Sequence, residues 1–387
     1  MGLIPFRALP CILLLMVLSA GCARLHPPIA QPPETTLPGT PGTLFLADGR
    51  HLAKDDLARL VPDHDFILIG ESHINSCDHR FQNDALLALS TSNQDLALGL
   101  EMVPWSAQDI LDDFNRGVID LEELEENLGW REYWGYSFSL YSPILARARE
   151  LTIPVLGLNV PKELLHRVRT DGMESILPDE RGLLPHVVIP PPPRQKALLE
   201  EEFSLHVELM PERTAEAGFE LERFMLVQSL WDTQMAFSAA HWKNTLERTV
   251  VILAGSGHVE HGYGIPHRLR VLEPDSRILT LVPWRGGPGP DPDSGDLFYF
   301  CPEQPRRLGM VIAWIDDQAV LSSVLPGSLA EQAGLQPGDV LITANDKPVT
   351  TMEVLHQAGM HAVGAREPLH LEIARNGTQL LLEVIFP

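Results

Sequence analysis

Four apolar runs in this chain end in side chains capable of chemistry. They are FILIGESH (Phe66–His73), LALGLE (Leu96–Glu101), IPVLGLN (Ile153–Asn159) and VVILAGSGH (Val250–His258). Short, near-continuous apolar runs read as strands buried on both faces. Between them lie helical patterns over Arg80–Ser90, Ala107–Asn115, Leu121–Leu128, Pro143–Glu150, Lys162–Arg169, Arg194–Phe203 and Phe219–Trp242. This alternation predicts an α/β fold, a mostly parallel sheet flanked by helices. All strands of a parallel sheet end on one edge. Glu71, His73, Glu101, Asn159 and His258 are therefore expected to converge on a single crevice there. In the last helix, Phe224, Leu226, Val227, Leu230, Trp231, Met235 and Phe237 cover much of the circumference, which predicts a helix packed within the domain. Gln228 and Asp232 sit four apart on one of its faces.

The chain divides at its Pro- and Gly-rich stretches. Residues 1–22 read as a lipoprotein signal peptide: Arg7, the apolar run Cys11–Leu18, then Ser19-Ala20-Gly21-Cys22. The apolar run is too short to span a bilayer. Cys22 is the expected lipidation site, although Ser19 departs from the usual leucine; an ordinary cleaved signal is the alternative. Ala23, rather than an aspartate, favours the outer membrane, facing the periplasm. Residues 23–42 are a proline-rich tether, 43–284 a large α/β domain, 285–304 a Gly/Pro linker and 305–387 a small domain.

With 387 residues and a hydrophobic fraction of 44%, two domains plus tails are expected. The formal charge of −23 argues against nucleic acid or an anionic membrane surface as a partner. Beyond Cys22, Cys77 and Cys301 remain as a pair whose bonding the sequence leaves open.

Glu71, His73, Glu101 and His258 could hold a divalent metal ion or serve as a general acid/base set. Asn159, Gln228 and Asp232 would orient them by hydrogen bonds. A lone histidine after a strand is more often a satisfied structural residue, and Glu101 alone could cap a helix. Recurrence at several strand ends is what favours a shared site. Beyond His258, the segment GSGHVEHGYGIPHR adds His261, Tyr263 and His267; imidazole and phenolate both ligate haem iron. Trp130, Tyr133, Trp134, Tyr136 and Tyr141 form an aromatic cluster suited to packing or, if exposed, to a flat ligand. There is no Walker loop or dinucleotide fingerprint, and GESH places no glycine after its serine, which argues against an α/β-hydrolase esterase.

FILIGESH, the LEM after LALG, WREYWGYSFSLYSPIL, GLNVPKE, QSLWDTQMA and ILAGSGHVEHGYGIPHRL together resemble the ChaN-like haem-binding lipoproteins, in the family's order. That family belongs to a superfamily that also holds Tiki-type metalloproteases and erythromycin-esterase-like hydrolases. By motif, Glu71 and His73 match the first G-E-x-H, Glu101 the acidic residue after the second strand, and His258 the terminal G-x-x-H. The resemblance implies haem as the cofactor, held in one chain or between two subunits of a homodimer. His258, His261 and Tyr263 are the candidate haem residues. The hydrolase relatives imply acid/base or metal work at the same four positions instead.

The stretch PGSLAEQAGLQPGDVLITANDKPV is similar to the PDZ family. Gly327, Gly334, Pro337 and Gly338 shape turns, Ala330–Ala333 reads as a short helix, Val340–Ala344 as a buried strand, and Asn345-Asp346 as a hairpin turn. Leu308-Gly309-Met310 matches the family's carboxylate-binding loop, preceded by Arg306 and Arg307, which implies a peptide carboxyl terminus as partner. Three functions follow. One is a lipid-anchored haem or iron binder with a PDZ module. The second is a metal-dependent or His/Glu-driven hydrolase. The third is a scaffold in which only the PDZ module works.

Overall fold

The computed structural model describes residues 39–386 except 93–94, 210–219, 288, 304–307 and 316–317. The signal segment with Cys22, most of the tether, and Arg306 and Arg307 lie outside the described residues. None of the described helices is long and apolar enough to cross a membrane.

The strands are β1 Leu44–Leu46, β2 His51–Leu52, β3 Phe66–Glu71, β4 Leu96–Pro104, β5 Val155–Asn159, β6 Thr249–Gly255, β7 Ile278–Trp284 and β8 Leu297–Phe300. They form one sheet in the order β2-β1-β8-β7-β3-β6-β4-β5. The run from β8 to β5 is parallel, and β1 and β2 are added antiparallel. Alternate strand residues enter opposite cores. Ile67, Ile69, Leu98, Leu100, Val251 and Leu253 pack with helices Ser76–Ser90 and Phe138–Glu150. Phe66, Leu68, Val250, Ile252 and Ala254 pack with helices Glu220–Leu246 and Ile265–Leu272. Burial on both faces explains why these strands read as unbroken apolar runs. The long helix is packed as expected: Leu230, Met235, Ala236 and Ala239 are fully buried.

Three local expectations change. Residues 285–304 are not a free linker: β8 lies inside them and pairs with β7 and β1. Its Phe298 and Tyr299 are buried, which explains why a segment flanked by Gly and Pro joins the sheet. The helix assigned to start at Arg80 starts at Ser76, because Asn75 caps it by accepting from Cys77 N at 3.0 Å. The helix assigned to start at Pro143 begins at Phe138 and carries that proline in its interior. Proline favours a first-turn position, but here Phe138 and Tyr141 bury their rings and extend the helix toward the amino terminus.

Cys77 and Cys301 are bonded, with Cα atoms 5.7 Å apart. Beside them Arg285 holds buried Asp78 in a two-pronged pair at 2.6 and 2.7 Å. Asp78 Oδ2 also accepts from Ser72 N at 2.8 Å. The disulfide thus fastens β8 behind the turn that carries His73.

The small domain is an antiparallel sheet of β9 Met310–Ile315, β10 Gln318–Val324, β11 Val340–Ala344, β12 Lys347–Pro348, β13 Leu369–Arg375 and β14 Thr378–Val384. Its main path is β14-β13-β11-β10-β9, with β12 on β11, so β9 is an edge strand. The short helix runs Leu329–Gln332, one residue earlier than expected, and β11 is only partly buried. Asn345 and Asp346 both adopt left-handed backbone angles, as a two-residue hairpin turn demands. A longer helix, Met352–Ala365, is capped by Thr351.

The disulfide closes a loop of 224 residues. Cys77→Ser or Cys301→Ser should lower unfolding stability by about 2–4 kcal/mol. Denaturant titration with and without reductant checks this, and the reduced wild type should match the variants.

Candidate functional site

The crevice is built on the carboxyl ends of β3, β6 and β4. Glu71, the last residue of β3, is paired in register with Gly255, the last of β6. Between Leu100 and Pro104 the β4–β5 register shifts, so β4 bulges at Glu101. Asn159 Nδ2 donates to the Glu101 carbonyl at 2.8 Å, and its Oδ1 accepts from Val160 N at 2.7 Å. Asn159 therefore holds the bulge and does not face the crevice with free donors. Gly157 is required opposite the bulge, because a Cβ there would lie 2.5 Å from the Pro104 carbonyl oxygen.

Around this edge carboxylates and imidazoles alternate. Glu71 Oε1 accepts from Tyr141 Oη at 2.7 Å and meets His73 Nδ1 at 2.8 Å, while Oε2 lies 3.0 Å from His79 Nδ1. His79 Nε2 donates to the His73 carbonyl at 3.2 Å. Glu101 Oε2 accepts from Gly255 N at 2.6 Å, and its Oε1 lies 3.5 Å from His258 Nε2. His258 Nδ1 sits 2.6 Å from Asp232 Oδ1. Glu71, Glu101 and Asp232 are all almost fully buried. His73 fits because residue 255 is glycine: a Cβ would stand 2.8 Å from the His73 ring and 3.6 Å from Glu101.

Buried charges survive only in compensated pairs. Burial pushes the Glu71 carboxyl up, but His79 and His73 overcome this and hold it well below the usual carboxylate range. Burial likewise depresses His73 and His79, and the Glu71 carboxylate more than reverses it. His258 is lowered by burial and raised by Glu101 and Asp232, reaching about 9. At neutral pH His258 is therefore a cation between two carboxylates: a proton donor, not a base.

Of the sequence candidates, Glu71, His73, Glu101, His258 and Asp232 come together. Gln228 is half-buried on the long helix and has no hydrogen bond to these groups among the described residues. His261 and Tyr263 do not join this network; they sit on the loop that follows His258, here called the rim, His261 exposed and Tyr263 half-buried, their rings stacked with centroids 5.3 Å apart. His267 is half-buried, its pKa lowered by burial and then by Arg268 and Arg270. In the aromatic cluster Trp130 and Tyr141 are buried, and Trp134 and Tyr136 pack on His73 at 4.8 and 5.0 Å. These rings wall the crevice and are not an open platform. Among the described residues no group of three or more His, Cys, Asp or Glu side chains is placed to hold a metal ion. The carboxylates and imidazoles proposed as ligands pair with one another.

His79, Tyr141, Gln195 and Arg268 were not foreseen. His79 was within reach: Asn75 as helix cap would have placed it in the first turn, facing the strand end. The other three are brought in by tertiary packing and carry no local signal.

His258 has a folded pKa raised above the ordinary histidine value near 6.5. Its contribution is complete below that value and is lost as pH rises toward about 9. Stability should fall by on the order of 2 kcal/mol across that window. Urea titrations at pH 6.5, 8 and 9 check this, and His258→Gln should flatten the dependence.

The family model described as "Haem-binding uptake, Tiki superfamily, ChaN" matches residues 57–269, and a PDZ domain model matches 320–375. No curated protein matches the chain. A solved structure of cofacial haem binding to ChaN of Campylobacter jejuni is 22% identical, with 66% of this chain and 96% of that one covered and a TM-score of 0.53. That likeness shows the fold. An erythromycin esterase mutant, EreC in its open conformation, is 14% identical over 59% of this chain and 71% of that one, with a TM-score of 0.37. The PDZ domain of EpsC from Vibrio cholerae is 22% identical over 21% of this chain and 100% of that one, with a TM-score of 0.19. With more than half its length matched and the parallel sheet in place, the chain belongs to the ChaN haem-binding uptake family of the Tiki superfamily and carries a PDZ domain after it.

Proposed function

We propose that the large domain binds haem at the rim of the crevice and that the PDZ domain binds peptide carboxyl termini. The observation that carries the haem reading is the stacked pair of exposed His261 and half-buried Tyr263 on the loop that leaves β6. The residues fit the group. His261 Nδ1 lies 3.1 Å from the Asp293 carbonyl, which can only accept, so the proton is on Nδ1 and the Nε2 lone pair is left for iron. The Arg194 guanidinium lies beside the Tyr263 side chain and can receive a carboxylate of the bound molecule. Bound haem would supply an iron centre that His261 and Tyr263 would hold. A surface pair of this kind also suits haem shared between two subunits of a homodimer.

The anchor belongs to the same reading. Lipidation at Cys22 would tether the domain to the cell envelope, with the outer membrane facing the periplasm as the site and iron uptake as the role. The buried disulfide supports export to an oxidising compartment.

In the PDZ domain the edge strand β9 and helix Met352–Ala365 are the elements a strand-adding peptide would use. Leu308, Gly309 and Met310 form the carboxylate loop. Their backbone is tied inward, with Ala330 N donating to Leu308 O and Leu325 N to Gly309 O. Gly309 has φ +75°, and a Cβ there would overlap Ser328.

One observation favours a second reading, a hydrolase: the His258 cation and the Glu101 carboxylate face each other at 3.5 Å as an acid and a base. Glu71 would position His73, since its Oε1 is held by Tyr141 and His73 and its Oε2 faces His79 at 3.0 Å.

Titration with haemin tests the first reading. Wild type should develop a Soret band, while Tyr263→Phe and His261→Ala should each weaken binding by at least about tenfold, on the order of 1.4 kcal/mol. A wild type without a Soret shift contradicts it. A hydrolysis screen tests the second: activity that survives both Glu101→Gln and His258→Gln removes it. For the PDZ domain, Gly309→Ala should abolish binding of a fluorescent peptide with an apolar carboxyl-terminal residue, and unchanged polarisation would refute the loop assignment.

A further inference from the structure

Arg268 is fully buried on the helix Ile265–Leu272, and neither reading of the site uses it. Its Nη1 donates to Gln195 Oε1, to the carbonyl of Tyr263 and to that of Gly264, and lies 3.3 Å from Asp232 Oδ2. Gln195 Nε2 donates to the same Asp232 oxygen at 3.0 Å. The other Asp232 oxygen holds His258. One side of this triad is therefore the crevice, and the other is the backbone of the rim tyrosine.

Two further observations point the same way. The Arg268 Nε and Nη2 atoms are buried and have no hydrogen-bond partner among the described residues. A cation kept in the interior with part of its donors unused is a costly arrangement that stability alone does not favour. The loop it grips is also folded tightly on itself, since a Cβ on Gly264 would lie 2.3 Å from the His258 carbonyl oxygen. His258 and Tyr263 are thus the two ends of one short, closed loop. Arg194, the residue before Gln195, is exposed and lies beside the Tyr263 side chain.

We propose that Arg268, with Gln195 and Asp232, is a positioning device that sets the rim tyrosine from the crevice side. Arg268 holds the Tyr263 carbonyl while Arg194 lies beside the Tyr263 side chain, and helix Pro193–Leu209 carries both Arg194 and Gln195. The consequence is that changes inside the crevice alter binding at the rim, although none of the three residues reaches it. This inference rests on haem binding through Tyr263.

Haemin is titrated into the full-length wild type and into Arg268→Lys, Gln195→Ala, Asp232→Asn and Tyr263→Phe, following affinity and the position of the Soret and phenolate-to-iron bands. Arg375→Lys, at the buried Asp339 pair of the PDZ domain, is the control and should match wild type. Arg268→Lys keeps the charge but loses the multiple donors, and should weaken binding by about tenfold with a shifted band, on the order of 1.4 kcal/mol. Gln195→Ala, the mildest change, should shift the band in the same direction while the far-ultraviolet circular dichroism stays at the wild-type level. If Tyr263→Phe abolishes the phenolate band while the three triad variants keep wild-type affinity and spectrum, the positioning role is overturned and the haem reading stands. If wild type shows no Soret band, the haem reading fails and the inference falls with it.

Discussion

Three carboxylates, two on parallel strands and one on the long helix beside them, are buried and must be neutralised, and the protein does this with imidazoles. Glu71, Glu101 and Asp232 have almost no contact with water, and His73, His79 and His258 lie against them. A lone buried carboxylate would carry a desolvation cost of several kcal/mol and would take up a proton instead. Alternation of the two group types makes each the condition for the other's charge. It also accounts for the absence of a metal cage among the described residues: donors that compensate one another are not free to bind a cation.

Much of the local structure exists to permit this alternation. The bulge in β4 aims Glu101 at β6, and Asn159 secures the bulge from the neighbouring strand. Gly255 leaves room for the His73 ring, and Gly157 lets the bulged backbone pass. Behind the site, Asp78 receives both Ser72 N and Arg285, next to the disulfide, so the turn carrying His73 is fixed to β8. The residues that do this come from four strand ends, from helices on both faces of the sheet and from the chain beyond residue 284. The large domain is correspondingly longer than the matched family segment suggests.

The fold and the location of the site were legible because they rest on local pattern. Strands buried on both faces leave unbroken apolar runs, and the last residues of those runs mark one edge. Glu71, Glu101 and His258 could be placed in this way. What escaped depends on tertiary packing. Tyr141 reads as one more aromatic in a cluster, yet its hydroxyl donates to Glu71 across 70 residues of chain. Arg268 reads as an ordinary charge on an amphipathic helix, yet it is the most enclosed cation of the site. Strand β8 was lost in the Gly/Pro punctuation around it, because a four-residue strand is set by the neighbours it pairs with. Gln228 erred the other way: helical spacing put it on the face of Asp232, but the crevice meets only one turn of that helix.

A compensated, buried crevice is distinct from the partly exposed rim that offers an imidazole and a phenol. In this view the crevice is the frame and the rim is the binding surface, joined through Asp232, Arg268 and the loop from His258 to Tyr263. A crystal structure of the haem-loaded protein tests this most directly. The account predicts iron bonded at the rim, through Tyr263 or His261, with His258 still held by Asp232 and facing Glu101. Iron bonded to His258, with the crevice opened and the Asp232 contact broken, would contradict it.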